Sequence, residues 1–243
     1  MSTESTSSSP APAIVLVHGA FADSSSWNGV IERLRAQGHS VIAAANPLRG
    51  LDSDAAYVAS VLDSVEGPCI LAGHSYGGSV ITVAAAGRTD VEALVYIAAF
   101  IPDEGESALQ LTDKFPGSTL GPTTRPSSYP LPDGGAGTEL YIRQEEFHRQ
   151  FAADVPAATA ELMAATQRPV ALAALQQPAT ATAWRNIPSF ALVTSEDKNI
   201  PVEAQRFMAE RAGAHVVEVS ASHAVSVSAP DAVGDLIARA AGR

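Results

Sequence analysis

The feature that most constrains the fold of this chain is a regular alternation of short apolar runs with segments of helical periodicity. The apolar runs occupy residues 13–19, 39–47, 69–74, 91–100, 189–197 and 215–222. Buried strands of parallel sheets have such runs, and helices between them supply the crossovers that parallel strands need. The alternation therefore predicts an α/β fold, with a mainly parallel sheet of about six strands flanked by helices.

The alternation stops after the fourth run and resumes only near residue 188. Residues 102–187 hold most of the prolines, a glycine-rich LPDGGAG segment and several helical patterns, but no convincing buried strand. An insertion of this length inside a strand–helix series is typical of a cap over one edge of the sheet. We predict a core of residues 13–101 and 188–243, a helical cap of residues 102–187 inserted after the fourth strand, and a disordered tail of residues 1–12.

The composition limits the classes of partner and compartment. A formal net charge of −11 and the lack of a basic run argue against binding to nucleic acid or to an anionic membrane. The polar N-terminus has no apolar signal-peptide centre, and no apolar stretch reaches the length of a membrane span. The single cysteine, Cys69, lies within an apolar run and is predicted to be a buried hydrophobe. We therefore expect a cytoplasmic protein and make no prediction of its oligomeric state.

Functional side chains gather at the carboxyl ends of parallel strands, because the loops there surround a crevice. The third apolar run ends in Gly73-His74-Ser75-Tyr76-Gly77, which matches the pattern G-x-S-x-G. In that pattern the serine lies on a sharp strand-to-helix turn whose neighbours must be small. A simple glycine-serine turn is the alternative, but the apolar strand before the motif and the apolar helix after it favour a nucleophile at Ser75.

A serine nucleophile needs a base, an acid that orients the base, and donors for an oxyanion. His223 follows the sixth run and is the candidate base, while Glu196 and Asp197 lie at the end of the fifth run and are both candidate acids. For the oxyanion we predict the backbone N–H groups of Ala20, in the loop after the first run, and of Tyr76. No spacing of His, Cys, Asp and Glu predicts a metal site, and no glycine-rich loop predicts a phosphate site.

Together these stretches resemble the α/β-hydrolase superfamily over essentially all of residues 13–240. The resemblance lies in VHGAFADSSSW at the first strand end, GHSYGG at the third, ED and IP after the fifth, and SH after the sixth. The chain looks most like the small-cap branch that contains bacterial carboxylesterases, plant methyl-ester esterases and hydroxynitrile lyases. The resemblance implies a covered pocket, no cofactor, and a triad of Ser75, His223 and Asp197, with Asp197 preferred to Glu196 as the acid.

Two positions depart from the hydroxynitrile lyases of that branch. Those enzymes have a lysine directly after the catalytic histidine, where this chain has Ala224, and a threonine in the first loop, where it has Gly19. Both departures disfavour lyase activity. Ser75 also separates this chain from superfamily members that use an aspartate nucleophile.

The sequence therefore predicts a serine hydrolase that cleaves carboxylic esters of small to medium apolar substrates through an acyl-enzyme intermediate. The alternatives are a ligand-binding receptor built on a hydrolase scaffold and the disfavoured lyase. The Ala-, Leu- and Val-rich cap predicts an apolar pocket for a small-molecule ester. Five aromatic residues are candidates to line it, and each is equally suited to the core: Phe21, Trp27, Phe100, Phe147 and Trp184.

Overall fold

The computed structural model describes residues 11–242. Residues 1–10 of the predicted disordered tail therefore lie outside the described residues. The described residues form nine β-strands: β1 (Ala13–Val17), β2 (Val41–Ala44), β3 (Cys69–His74), β4 (Val91–Ile97), β5 (Thr124–Pro130), β6 (Ala136–Ile142), β7 (Val170–Ala171), β8 (Ser189–Thr194) and β9 (His215–Val219).

Helices connect these strands. The α-helices of the described residues are α1 (Asn28–Ala36), α2 (Leu51–Asp63), α3 (Tyr76–Ala84), α4 (Ala108–Lys114), α5 (Leu120–Thr123), α6 (Gln144–Phe151), α7 (Ala157–Thr166), α8 (Leu172–Gln176), α9 (Val202–Arg211), α10 (Val225–Ser228) and α11 (Pro230–Ala240). Two short 3-10 helices, Ser24–Trp27 and Ala183–Arg185, complete the set.

The main sheet has six strands in the order β2-β1-β3-β4-β8-β9, and every neighbouring pair is parallel. These strands coincide with the six apolar runs, so the predicted fold class is confirmed. All six strands point the same way, and their carboxyl ends therefore meet at one edge of the sheet. The loops at that edge carry the candidate site.

Alternate residues of the central strands face two different apolar clusters, because side chains alternate between the faces of a strand. Val15 and Val17 of β1 lie in the cluster that includes the buried residues of α2 and α3. Ile14 and Leu16 lie in the cluster that includes those of α1 and α11. Since both faces are covered, the strand has no polar alternation, and this explains the continuous apolar runs in the sequence.

The cap, between β4 and β8, differs from the prediction. It contains the predicted helices, α4 to α8, and it also contains a three-stranded antiparallel sheet in the order β5-β6-β7, which the sequence analysis did not predict. The residues of β5 are all exposed or half-buried, and the strand therefore lacks a continuous apolar run. The glycine-rich segment forms the turn between β5 and β6, where Gly134 has a φ of 86°.

Candidate active site

Ser75 lies on the turn between β3 and α3 and has a φ of 54° and a ψ of −123°. Residues other than glycine rarely adopt this conformation, so the turn is strained. The neighbouring glycines make it sterically possible: a Cβ at Gly77 would lie 2.4 Å from the Val17 carbonyl oxygen, and one at Gly73 would lie 2.5 Å from the Gly77 carbonyl oxygen. The loop after β1 packs equally closely, since a Cβ at Gly19 would lie 2.6 Å from the Ser75 Cβ. Bulk at any of these positions would displace the backbone around the serine.

His223 lies in the loop after β9 and is only 1% exposed. Its Nδ1 is 2.6 Å from Oδ2 of Asp197, which lies in the loop after β8. These loops meet because β8 and β9 are adjacent parallel strands. When the Nδ1–H donates a hydrogen bond to the carboxylate, Nε2 carries no proton and is the ring atom that can act as a base.

Of the two candidate acids, Asp197 contacts the imidazole and Glu196 does not. Asp197 is buried, and its Oδ2 also accepts hydrogen bonds from the Thr194 hydroxyl at 3.1 Å and from Gln205 Nε2 at 3.0 Å. Glu196 is exposed and accepts a hydrogen bond from the Ser220 hydroxyl. The burial and the donors around Asp197 fix a carboxylate at the position where an orienting acid is needed.

Two backbone N–H groups are available to an anionic oxygen beside the serine. Tyr76 is the first residue of α3, so its N–H has no acceptor within the helix. Within residues 11–242 no backbone hydrogen bond uses the Ala20 N–H, whereas the next N–H, that of Phe21, donates to the Arg168 carbonyl oxygen at 3.0 Å. Ala20 and Tyr76 both line the cavity that contains the serine. The assignment of these two N–H groups as oxyanion donors stays a prediction.

Two further histidines are buried beneath the site. His74 Nε2 is 2.8 Å from the His223 carbonyl oxygen, and burial, reinforced by the neighbouring His223, holds the pKa of His74 well below its usual range. His18 Nδ1 is 2.9 Å from the Gly19 carbonyl oxygen, and burial lowers the pKa of His18 as well. Each neutral ring donates to a backbone carbonyl and so braces a loop of the site.

The cap holds the loop that carries His223. The Ser222 N–H donates to Asp154 Oδ2 at 3.0 Å, and the Ser222 hydroxyl donates to Asp154 Oδ1. The Ala224 N–H donates to the Phe151 carbonyl oxygen at 3.0 Å, and the Phe151 ring packs edge-on against the imidazole with centroids 4.9 Å apart. Asp154 and Phe151 could not be identified from the sequence, because both lie in the cap, where no motif or strand end marks them.

A cavity of about 400 Å³ lies between the strand-end loops and the cap. Ser75 and His223 line it together, and no hydrogen bond joins the Ser75 hydroxyl to another group of residues 11–242. Catalytic hydrogen bonds of this kind often tighten only when substrate binds. Most of the cap residues that line it have hydrocarbon side chains: Ala108, Leu109, Phe115, Pro116, Leu120, Pro122, Leu140, Leu172 and Leu175.

Of the five aromatic residues predicted to line the pocket, Phe21 and Phe100 do so, whereas Trp27, Phe147 and Trp184 do not. Trp27 is fully buried in the apolar cluster beside α1 and α11. Phe147 is fully buried within the cap, and Trp184 donates from Nε1 to a backbone carbonyl at 2.9 Å. All three have the core role that was their alternative, since helical spacing alone does not show which side of the cap a residue faces.

Residues 11–242 contain neither a membrane-spanning helix nor a cluster of metal ligands. Within residues 11–242 no helix has the length and apolar character needed to cross a bilayer. In the same part of the chain, no three His, Cys, Asp or Glu side chains are grouped to hold a metal ion. Burial raises the pKa of the Cys69 thiol to about 11, so this thiol stays protonated and unreactive at neutral pH.

Comparison with known proteins assigns the family. The model of the alpha/beta hydrolase family matches residues 14–236. This chain belongs to the alpha/beta hydrolase family. The match extends across both core segments and the cap, so the resemblance found in the sequence is confirmed.

Solved structures show the same fold for this alpha/beta hydrolase. Polyneuridine aldehyde esterase superposes with a TM-score of 0.81 at 21% identity and covers 94% of this chain and 98% of its own. A pyrethroid hydrolase from Sphingobium faniae gives 0.76 at 24% identity, with 95% and 97% covered. A methylesterase from Arabidopsis gives 0.78 at 18% identity, with 95% and 99% covered. The cap is therefore part of the shared architecture.

A curated relative shares part of the sequence. The carbendazim hydrolyzing esterase of Nocardioides sp. (strain SG-4G) is 34% identical over 113 residues. The match covers 41% of this alpha/beta hydrolase and 47% of the relative, so it spans about half the length of that relative.

Proposed function

We propose that this alpha/beta hydrolase is a serine esterase that cleaves carboxylic esters through an acyl-enzyme intermediate. The observation that carries the proposal is the buried contact of 2.6 Å between His223 Nδ1 and Asp197 Oδ2, with His223 and Ser75 lining one cavity. An imidazole oriented by a carboxylate is the group that activates a serine hydroxyl for acyl transfer. The strained turn presents that hydroxyl at the end of a central strand.

In the proposed reaction, Ser75 Oγ attacks the ester carbonyl carbon while His223 Nε2 accepts the hydroxyl proton. Asp197 stabilises the resulting imidazolium through Nδ1–H. The carbonyl oxygen becomes an oxyanion, to which the N–H groups of Ala20 and Tyr76 donate. When the tetrahedral intermediate collapses, the alcohol leaves with the proton held by His223, and the acyl group stays on Ser75.

Water completes the cycle. His223 accepts a proton from a water molecule, whose oxygen attacks the acyl carbon. The second tetrahedral intermediate releases the carboxylic acid, and the proton returns to Ser75 Oγ. Both halves of the cycle use the same base, acid and oxyanion donors.

The cavity supports an apolar ester of small to medium size as the substrate. Its volume is about 400 Å³, and hydrocarbon side chains form most of the wall that the cap contributes. The names of the relatives agree in class, since they are an esterase, a pyrethroid hydrolase and a methylesterase. These names support ester hydrolysis as the reaction class without selecting one substrate.

The test is hydrolysis of p-nitrophenyl butyrate by the wild type, Ser75→Ala and Ser79→Ala. Ser79 is a second buried serine one turn further along α3, and it does not line the cavity, so Ser79→Ala is the matched control. We expect Ser75→Ala to lower kcat by about 10³-fold or more, because the nucleophile is removed. Ser79→Ala should keep the wild-type rate.

Mass spectrometry after treatment with a serine-directed phosphonate identifies the nucleophile directly. The label is expected on Ser75 and should be lost in Ser75→Ala. A wild-type protein that neither turns over the ester nor takes the label contradicts the proposal. In that case a thermal shift with the same esters tests the receptor alternative.

A further inference from the structure

Gln150, near the end of cap helix α6, is hydrogen-bonded to the core loop that follows β8. Its Nε2 donates to the Lys198 carbonyl oxygen at 2.9 Å and to Asn199 Oδ1 at 2.8 Å. Its Oε1 accepts a hydrogen bond from the Thr119 hydroxyl at 2.9 Å. The amide thus uses both of its hydrogens and its oxygen, and these contacts fix its orientation.

The contact between Gln150 and this loop is buried. Gln150 is 1% exposed and Asn199 is 2% exposed. Water does not replace a hydrogen bond lost at such a position without a rearrangement, so removal of the glutamine amide would leave Asn199 Oδ1 without this donor and destabilise the loop in its present position.

The same loop supplies the donors that hold one oxygen of Asp197. Asp197 Oδ1 accepts hydrogen bonds from the backbone N–H of Asn199 at 2.7 Å and from that of Ile200 at 3.0 Å. With Oδ1 held in this way, Oδ2 is the oxygen that meets His223 Nδ1. Movement of residues 198–199 would withdraw these donors and allow the carboxylate to rotate away from the imidazole.

The residue after Gln150 acts on the other catalytic loop. Phe151 accepts the Ala224 N–H at its carbonyl oxygen and packs its ring against His223. The end of α6 therefore contacts the loops of both Asp197 and His223.

We propose that Gln150 is a positioning residue of the esterase, which holds the Asp197 loop so that His223 keeps the orientation and tautomer that activate Ser75. This inference rests on the proposed function. Gln150 does not line the cavity, so its loss should lower kcat and leave KM nearly unchanged. The cap then contributes to the alignment of the triad as well as to the walls of the pocket.

The experiment compares Gln150→Leu with Gln167→Leu. Gln167 is a second buried cap glutamine; its Oε1 accepts the Ile142 N–H, and its Nε2 donates to the carbonyl oxygens of Ile142 and Ala164, each at 2.9 Å. Each variant therefore removes three side-chain hydrogen bonds from the cap. Only the first of these two variants releases the Asp197 loop.

We expect Gln150→Leu to lower kcat for p-nitrophenyl butyrate by about tenfold or more, since misalignment of catalytic groups is costly to rate. KM should stay nearly constant, and phosphonate labelling of Ser75 should slow by the same factor as kcat. Gln167→Leu should lose thermal stability but keep both rates. Wild-type kcat and labelling rate in folded Gln150→Leu, or an equal loss of kcat in Gln167→Leu, overturns the inference.

A second variant decides the matter if Gln150→Leu does not fold. Gln150→Glu keeps the size of the side chain and the acceptor for Thr119, but its carboxylate cannot donate to the Lys198 carbonyl oxygen. It should lower kcat in the same direction, and an unchanged kcat overturns the inference. The same assay includes the wild type and Ser75→Ala, so the two proposals can be separated. An inactive wild type contradicts the proposed esterase function. An active wild type with unaffected Gln150 variants contradicts only the positioning role of Gln150.

Discussion

Two buried histidines support the ends of the strands from which the catalytic loops start. His74 donates to the His223 carbonyl oxygen, and His18 donates to that of Gly19. Burial lowers the pKa of both rings, so the folded protein keeps them neutral at a pH where an unfolded chain would begin to protonate them. The unfolded state therefore binds more protons than the folded state below the ordinary histidine pKa.

This difference makes stability depend on pH. Above about pH 6.5 these rings are neutral in both the folded and the unfolded protein, so they do not lower the free energy of unfolding. As the pH falls below that value, the unfolded chain takes up protons that the folded protein does not. The free energy of unfolding should then fall by about 1.4 kcal/mol per pH unit for each such histidine. His74→Gln keeps a donor for the His223 carbonyl and removes one titrating ring. We expect urea unfolding between about pH 5 and 7 to show a shallower slope for His74→Gln than for the wild type. Equal slopes would mean that folded His74 takes up a proton.

The residues that carry the proposed chemistry could be located in the sequence, whereas those that support them could not. Ser75, Asp197 and His223 each follow an apolar run, and the geometry of a parallel sheet brings such positions together. Gln150 is separated from Lys198 by 48 residues of chain, and no periodicity relates the two. Their meeting depends on how the cap seats on the core, which is a tertiary property.

At the scale of elements, α2 and α3 are joined by a polar contact inside the apolar cluster. The Tyr76 hydroxyl donates to Asp54 Oδ2 at 2.9 Å, and the Arg49 N–H donates to the same carboxylate. Asp54 is fully buried, and burial raises the pKa of its carboxyl. The hydroxyl is thus one of the few groups that compensate for a buried carboxylate.

Tyr76→Phe removes that donor, so we expect it to lower the free energy of unfolding by about 1–3 kcal/mol. Tyr96→Phe is the matched control, because the Tyr96 hydroxyl is also buried but pairs with the neutral hydroxyl of Thr82 at 2.9 Å. Its cost should be smaller, since no carboxylate is left short of a donor. Denaturant unfolding of both variants measures the difference, and an equal or larger cost for Tyr96→Phe would count against this account.

The strands of the main sheet were predicted correctly, and those of the cap were missed, for one physical reason. A strand covered on both faces shows its burial as a continuous apolar run, as in CILAGH of β3, where every residue is buried. β5 reads TRPSSYP and has exposed positions along its length. It pairs with β6 through backbone hydrogen bonds, which do not require apolar side chains and so cannot be predicted from a hydrophobic pattern. The glycine-rich turn was the available signal for this hairpin.

At the scale of the whole molecule, we expect charge to select among esters of similar size. The formal net charge is −11, and the described residues that line the cavity include the acidic residue Asp113 and no Lys or Arg. An anionic ester would meet like charge on approach and no cationic partner on arrival. An uncharged ester of the same length is not repelled and does not need a cationic partner in the cavity.

We expect kcat/KM for p-nitrophenyl hemisuccinate to be at least about tenfold below that for p-nitrophenyl butyrate at low ionic strength. Added salt should reduce the difference in kcat/KM between the two esters, because at 0.1 M it screens repulsion between exposed charges that are more than about 10 Å apart. Asp113→Asn should narrow the ratio as well, and Asp133→Asn, a change of the same charge in the β5–β6 turn, serves as the control. Equal rates for the two esters at low salt would show that charge does not contribute to selection.

The separation between the two sheets also bears on how such proteins diversify. In the described part of the chain, the strands of the cap pair with one another and not with the main sheet. A chimera that received the cap of a relative would therefore keep the hydrogen-bond register of its core. It would, however, lose the Gln150 contact with the Asp197 loop unless the donor cap carried an equivalent amide. Recombination of caps is thus constrained by cap–core contacts such as that of Gln150, and chimeras that lack this contact are expected to fold and bind their esters yet turn them over slowly.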